Sequence, residues 1–267
     1  MSDLEECSST LSLSSSLLTT LPVVDIDSFF HRTEELPVNP SSSSSSESTY
    51  ITACKTLSSA LHEFGAVLVH DSRIDDSENQ RFQDMMELYF AQSDGIKDAR
   101  PEWAYQVGVT PSGTEKARGN IDLISKLPLN GRPLTKLAPE FDKKMRFFWR
   151  IGPAPKRTSF PTLNMPPVKP EGFPDWEITM NNWGNKLMGT LFVVSEMAAT
   201  GFGLPPDAFS SRLEYGPHLL APTGSNVAQC KVGDVLAGFH SDLNFLTIHG
   251  AFFISLFLVN RVNNKYG

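Results

Sequence analysis

The spacing of apolar positions divides this chain into a helix-rich first part and a strand-rich last part. Leu21-Pro-Val-Val-Asp-Ile-Asp27 is a short β-branched run and predicts a first strand. Ala53, Leu57, Ala60, Leu61 and Phe64 recur at helical spacing, Gly65 ends that helix, and Ala66-Val-Leu-Val-His70 predicts a buried strand. Ser77-Glu-Asn-Gln80 has the form of a capping box, and Phe82, Met85, Met86 and Tyr89 behind it predict a helix packed on one face. Phe141, Met145 and Phe148 predict another helix, stopped by Gly152, Pro153 and Pro155. Five prolines between Pro161 and Pro174 mark an extended connector, which Leu163, Met165, Val168 and Phe173 give something to bury. The longest predicted helix runs from Asn181 to Thr200, with Trp183, Leu187, Leu191, Val194, Met197 and Ala198 on one side and Gly201 to Pro206 as its stop. A short helix is predicted near Asp207. From Leu213 onward turn signals at Gly216-Pro217, Pro222-Thr-Gly224 and Gly233-Asp234 separate short apolar runs, the pattern of β structure.

Composition narrows the class. A chain of 267 residues with 40% apolar and 20% charged residues is a soluble globular protein. Thirty acidic residues against 23 basic ones leave a net charge of −7, which argues against a nucleic-acid partner. Cys7, Cys54 and Cys230 stand far apart, without metal-site pairing or the even count of a disulfide framework, so a reducing compartment is expected. The leader carries Asp3, Glu5 and Glu6 where a signal peptide wants positive charge, which points to a cytoplasmic protein. The most apolar stretch, Phe245 to Val259, is interrupted by Thr247, His249 and Gly250 and falls short of the ~20 residues needed to span a bilayer. The expected organisation is a disordered leader over 1–20, a first region over 21–150 with a flexible serine-rich insertion at 31–49, and a second region over 151–267.

One stretch implies chemistry. In Gly238-Phe-His-Ser-Asp-Leu-Asn-Phe-Leu-Thr-Ile-His-Gly250, an extended strand would put His240 and Asp242 on one face, ~7 Å apart along the backbone. An imidazole and a carboxylate can then converge on one ion, as two-thirds of the 2-His-1-carboxylate triad that holds non-haem Fe(II). On spacing alone an ordinary His–Asp hydrogen bond or surface pair is the favoured reading over a metal site. His249 is the tempting third ligand, but Leu243 to Ile248 reads as straight strand, placing it ~20 Å on and on the opposite face. His218 has core-like neighbours in Leu219 and Leu220, and His31, His62 and His70 fall on a loop, a helix and a strand end.

The order of these features resembles the isopenicillin N synthase-like branch of the Fe(II)/2-oxoglutarate oxygenases. The resemblance rests on the Pro22-Val-Val-Asp-Ile-Asp27 strand, the Phe64-Gly-Ala-Val-Leu-Val69 passage, the helix from Trp183 to Gly203 and the His240-Ser-Asp242 segment. More narrowly, Phe147-Phe-Trp-Arg-Ile-Gly152, Ser195-Glu-Met-Ala-Ala-Thr-Gly-Phe-Gly-Leu-Pro205 and Gly216-Pro-His-Leu-Leu-Ala-Pro-Thr-Gly224 are similar to one clade of that superfamily. It implies an α+β fold, with a helical and mixed N-terminal region packed on a double-stranded β-helix, or jelly roll. It further implies a dioxygenase acting on a small organic substrate, with Fe(II) held by His240 and Asp242, 2-oxoglutarate as cosubstrate and O₂ as substrate.

The family's distal histidine and its cosubstrate arginine have no counterpart in the 17 residues after Gly250. The jelly roll is therefore expected to be incomplete at its C-terminal end, in a truncated chain that binds Fe(II) weakly and turns over poorly. A catalytically inactive relative with a binding role, or none, is the competing expectation. Phe252, Phe253, Ile254, Leu256, Phe257, Leu258 and Val259 form an apolar β-prone run, and unpaired strands there predict self-association. Trp103, Tyr105 and Gln106 are candidates for a substrate entrance, with surface packing as the plainer role, and Arg261 is the only arginine after the motif.

Overall fold

The computed structural model describes residues 20–32, 48–117, 121–129, 132, 141–240, 242, 244–250 and 256–259. The expected leader except Thr20, the core of the serine-rich insertion, Phe252, Phe253, Ile254 and Arg261 lie outside the described residues. The first described elements are β1 (Val23–Asp25), a 3-10 turn after it, and α1 (Thr49–Glu63), capped by the Ser48 hydroxyl, which accepts from the Ile51 amide. Gly65, at φ +69°, ends α1 and turns the chain into β2 (Ala66–His70), as the sequence predicts. In α2 (Asp76–Gln92) the cap is Asp75, whose carboxylate accepts from the Ser77 amide at 2.7 Å. Ser77 thus lies inside the first turn rather than capping it, because the acidic residue two positions earlier reaches the same orphan amides.

The predicted helix over Phe141 to Arg150 is instead a strand. β3 (Gly108–Thr110) and the short α3 (Ile121–Lys126) precede β4 (Met145–Ile151), which pairs with β3 on one side. Phe147, Trp149 and Ile151 are buried in alternation while Arg146, Phe148 and Arg150 face the other way, a period of two. The apparent helical spacing arose from Phe141 and Phe148, which lie outside that buried set. Aromatic and β-branched side chains on both faces favour the pleated surface here.

Beyond the connector, where Val168 is buried and Phe173 packs against Trp176, α4 (Trp176–Gly201) crosses the molecule. Its two halves serve different cores. Val193, Val194, Met197 and Ala198 pack with Leu57, Leu61, Val67 and Val69, and Trp176, Met180 and Trp183 pack with Phe82, Tyr89, Phe147 and Trp149. Each core therefore draws residues from both sides of position 150. After α5 (Asp207–Ser210) come β5 (His218–Leu220), β6 (Thr223–Gly224), β7 (Thr247–His249) and β8 (Leu256–Val259).

Two sheets result. One has the order β1-β2-β8-β7, with β1 parallel to β2 and the other pairs antiparallel. The other is β3-β4-β5, with β6 also pairing with β4. The expectation of unpaired strands at the apolar run is corrected for Leu256–Val259. Its backbone is hydrogen-bonded on both sides, to β2 and to β7, so it is an interior strand. No helix among the described residues is long and apolar enough to cross a membrane.

Candidate metal centre

The His240 segment is held at both ends. On one side the buried Gly238 amide donates to Oδ1 of Asp142 at 2.8 Å, just ahead of β4. On the other, Leu246 and Ile248 pack against the core that α1 shares with α4. Between these anchors the backbone bends at Asn244 and Phe245 and does not form the straight strand expected from the sequence. The bend has a local cause. The Asn244 side-chain amide donates to the Leu246 carbonyl at 2.6 Å and to the Thr247 hydroxyl oxygen at 2.7 Å, a turn that an asparagine side chain makes at the expense of strand pairing.

His240 and Asp242 are nevertheless brought together. Nε2 of His240 lies 3.3 Å from Oδ1 of Asp242, with the side chains 39% and 40% exposed, so the pair is supported from behind and open in front. The other two polar atoms are occupied. Nδ1 of His240 donates to the Gly238 carbonyl at 2.7 Å, since a carbonyl oxygen can only accept, and the Thr247 hydroxyl donates to Oδ2 of Asp242 at 2.5 Å. Neutral His240 thus carries its proton on Nδ1 and turns the Nε2 lone pair toward a carboxylate oxygen. Two acceptors face one another, an arrangement that needs a proton or a cation between them. Ligands at about 2.1 Å from one ion and roughly at right angles stand about 3 Å apart, so this donor pair fits adjacent positions on a metal. The Gly238 carbonyl on His240 and the Thr247 hydroxyl on Asp242 are the kind of partner that fixes tautomer and orientation at metal centres.

The remaining candidates are placed elsewhere. Nε2 of His218 is engaged by the Leu213 carbonyl at 2.6 Å, and Nδ1 of His70 lies 3.4 Å from Asp25. His31, His62 and His249 are exposed. No group of three or more His, Cys, Asp or Glu able to share an ion occurs among the described residues. Trp103 packs against the second core, consistent with the plainer role, although Ala104 and Tyr105 beside it take left-handed conformations at φ 52° and 57°. Sequence reasoning missed Thr247, Asn244, Gly238 and Asp142. Thr247 and Asn244 sit within the motif, whereas Asp142 lies 96 positions from Gly238 and carries no sequence signal linking it to His240.

Near the anchor, Lys143 pairs with Asp234 at 2.6 Å, and this contact, followed by the Lys231 amide, holds the Asp234 carboxyl below the usual carboxylate range. The turn before the motif is thereby tied to the same loop that carries Asp142.

No protein-family model and no curated protein matches the chain, whereas solved structures do. The full-length Neurospora crassa protein NcT7H, in complex with alpha-KG and thymine, superposes with a TM-score of 0.59 at 16% identity, over 90% of this chain and 73% of that one. The same protein with alpha-KG alone gives 0.57 at 16% identity, over 90% and 72%. A Caulobacter crescentus protein assigned to the 2OG-Fe(II) oxygenase family gives 0.51 at 17% identity, over 77% of this chain and 56% of that one. At these identities the likeness is one of fold: a mixed arrangement of helices and sheets shared with 2OG-Fe(II) oxygenases.

Proposed function

We propose that this chain is a non-haem Fe(II)-dependent oxygenase that uses 2-oxoglutarate and O₂ to oxidise a small organic substrate, with His240 and Asp242 as iron ligands. The observation that carries the reading is the convergence of Nε2 on Oδ1 at 3.3 Å, with both side chains braced from behind. The shared fold, and alpha-KG in the Neurospora relative, support it. Within that reading the two sheets are walls of a double-stranded β-helix, built from strands on both sides of position 150, and the chain belongs to the isopenicillin N synthase-like branch. When bound, Fe(II) with 2-oxoglutarate supplies the O₂ activation that amino-acid side chains cannot. The protein's own part is to hold an imidazole with its Nε2 lone pair available and a carboxylate side by side on a half-open face. With two protein ligands among the described residues, we expect loose iron binding and slow turnover.

A second reading rests on the same distance, because an imidazolium donating to Asp242 would also sit at 3.3 Å and satisfy itself without metal. The chain would then be a non-catalytic relative. Equilibrium binding of Fe(II), or of Co(II) as its air-stable probe, to wild type, His240→Ala and Asp242→Ala separates the two. Loss of an outer-shell partner costs ~10–100-fold in affinity, so loss of a ligand should cost at least that much. Succinate release from 2-oxoglutarate under Fe(II) and ascorbate, abolished in His240→Ala, would support the oxygenase. Metal binding indifferent to both substitutions would overturn it.

A further inference from the structure

Asp142 and Lys144 form a buried ion pair, 2% and 5% exposed, at the entry to β4. Burying a carboxylate and an ammonium is expensive unless each is fully engaged, and replacing such a pair with apolar residues is often neutral or stabilising. Here the engagement is thorough. Lys144 Nζ contacts Oδ2 of Asp142 and lies 2.8 Å from Oε2 of Glu115, which Arg146 Nη2 approaches at 3.0 Å. That leaves Oδ1 of Asp142 aimed away from the cluster, and it accepts the Gly238 amide at 2.8 Å. The carbonyl of that same glycine accepts from Nδ1 of His240. One residue therefore links a buried charge pair to the tautomer of a candidate metal ligand.

Resting on the oxygenase reading above, we propose that Asp142, oriented by Lys144, is the positioning residue for His240. It immobilises the Gly238 peptide, whose carbonyl then selects the Nδ1–H tautomer and directs Nε2 toward Asp242. Lys144 holds Oδ2 so that Oδ1 has one direction left to point. The 231–234 turn, tied to the neighbouring Lys143 through Asp234, limits how far Gly238 can drift. A histidine two residues beyond an unanchored glycine would sample both tautomers and several ring orientations, and its metal affinity would fall by the fraction of time spent misdirected.

The test uses the full chain. Long-range proton–nitrogen correlation spectra of the metal-free protein, at a pH where the imidazole is neutral and with His240 assigned through His240→Ala, report the tautomer directly. Wild type should show Nδ1–H, and Asp142→Ala a mixture. Co(II) affinity should fall ~10–100-fold in Asp142→Ala. Should that variant not fold, Asp142→Asn keeps the volume and one carbonyl oxygen, which cannot serve Gly238 and Lys144 together, and an intermediate loss of both signals is expected. Thr190→Val removes a buried hydrogen bond to Asp71, remote in sequence from this network. It should lower thermal stability while leaving Co(II) affinity and the His240 signal unchanged. A cooperatively folding Asp142 variant with the wild-type tautomer and affinity would overturn the proposal, as would an equal affinity loss in Thr190→Val. Were wild type to bind Co(II) no better than His240→Ala, the metal reading would fall, and the tautomer spectra would still decide the role of Asp142.

Discussion

The Thr247 hydroxyl donates to Oδ2 of Asp242 at 2.5 Å, across a turn that the Asn244 side chain closes. This contact occupies the oxygen that does not face His240 and so fixes which one does. Thr247→Val keeps the shape and removes the hydroxyl, both the donor to Asp242 and one acceptor of the Asn244 amide, which keeps its bond to the Leu246 carbonyl. Since Asp242 is 40% exposed, water can replace the bond, and the stability loss should be about 1 kcal/mol or less. Co(II) affinity should fall ~10-fold, the lower end of the outer-shell range, and Thr247→Ser should restore it. Equal affinity in wild type and Thr247→Val would show that the hydroxyl does not orient the carboxylate.

How much of this was legible beforehand depends on the distance over which the cause acts. The α1 helix, the Gly65 stop, β2 and most of α4 follow from local periodicity and stop signals, which the chain carries within a few residues. Phe141, Met145 and Phe148 match a helical spacing, and only the pairing of β4 with β3, β5 and β6 reveals its period of two. The two-residue spacing of His240 and Asp242 is legible in the sequence, whereas the bend at Asn244 and Phe245 that follows them is not. The Asn244 turn that bends it is a local competition between side chain and backbone, visible only once the structure settles it. Asp142 was illegible, since nothing in a sequence ties a carboxylate to an amide in another element.

Leu256–Val259 fills the sheet between β2 and β7. Ending the chain at Gly250 should therefore expose a long edge on β2, a template for pairing with another chain. Among the described residues the 267-residue chain offers the outer edges of β1 and β7 in this sheet, three residues each. Sedimentation should show the shortened chain associating at lower concentration than the 267-residue one. The opposite order would mean that β8 is itself the adhesive segment.

Asp71 gives the fold an acid sensitivity. Burial pushes its carboxyl up, but hydrogen bonds from Arg73 and from Thr190, the latter at 2.5 Å, outweigh burial and hold it below the usual range. A carboxyl depressed in the folded state stabilises above its unfolded value near ~4, and that contribution is lost as pH falls through the folded value. Urea midpoints should drop as pH is lowered from about 5, and Asp71→Asn should flatten that part of the curve while lowering stability at neutral pH. Working at high salt mutes the exposed carboxylates Asp75, Asp94 and Glu171, which are also depressed. An Asp71→Asn curve parallel to wild type would rule this carboxylate out as the source.

The last residue of α4, Gly201, sits against α1. A Cβ there would lie 2.1 Å from the Cys54 carbonyl oxygen, 2.6 Å from the Ser58 hydroxyl and 2.8 Å from the Cys54 carbonyl carbon. Two of those atoms are backbone, so relief requires moving one helix off the other. Overpacking of this kind costs typically 1–3 kcal/mol, occasionally more, whereas alanine over glycine gains at most about 1 kcal/mol in a helix interior and less at its end. Gly201→Ala should therefore destabilise by about 1–2 kcal/mol or more, lowering the urea midpoint with an unchanged slope. Gly184→Ala provides the comparison. Its Cβ would meet Ile151 Cδ1 at 2.2 Å and Cγ1 at 2.6 Å, side-chain atoms that a rotamer change can withdraw, and its position inside α4 gains the fuller helix preference. Its loss should be the smaller of the two. If Gly201→Ala proved as stable as wild type, the close approach of α4 to the Cys54 carbonyl would not be a feature of the folded chain.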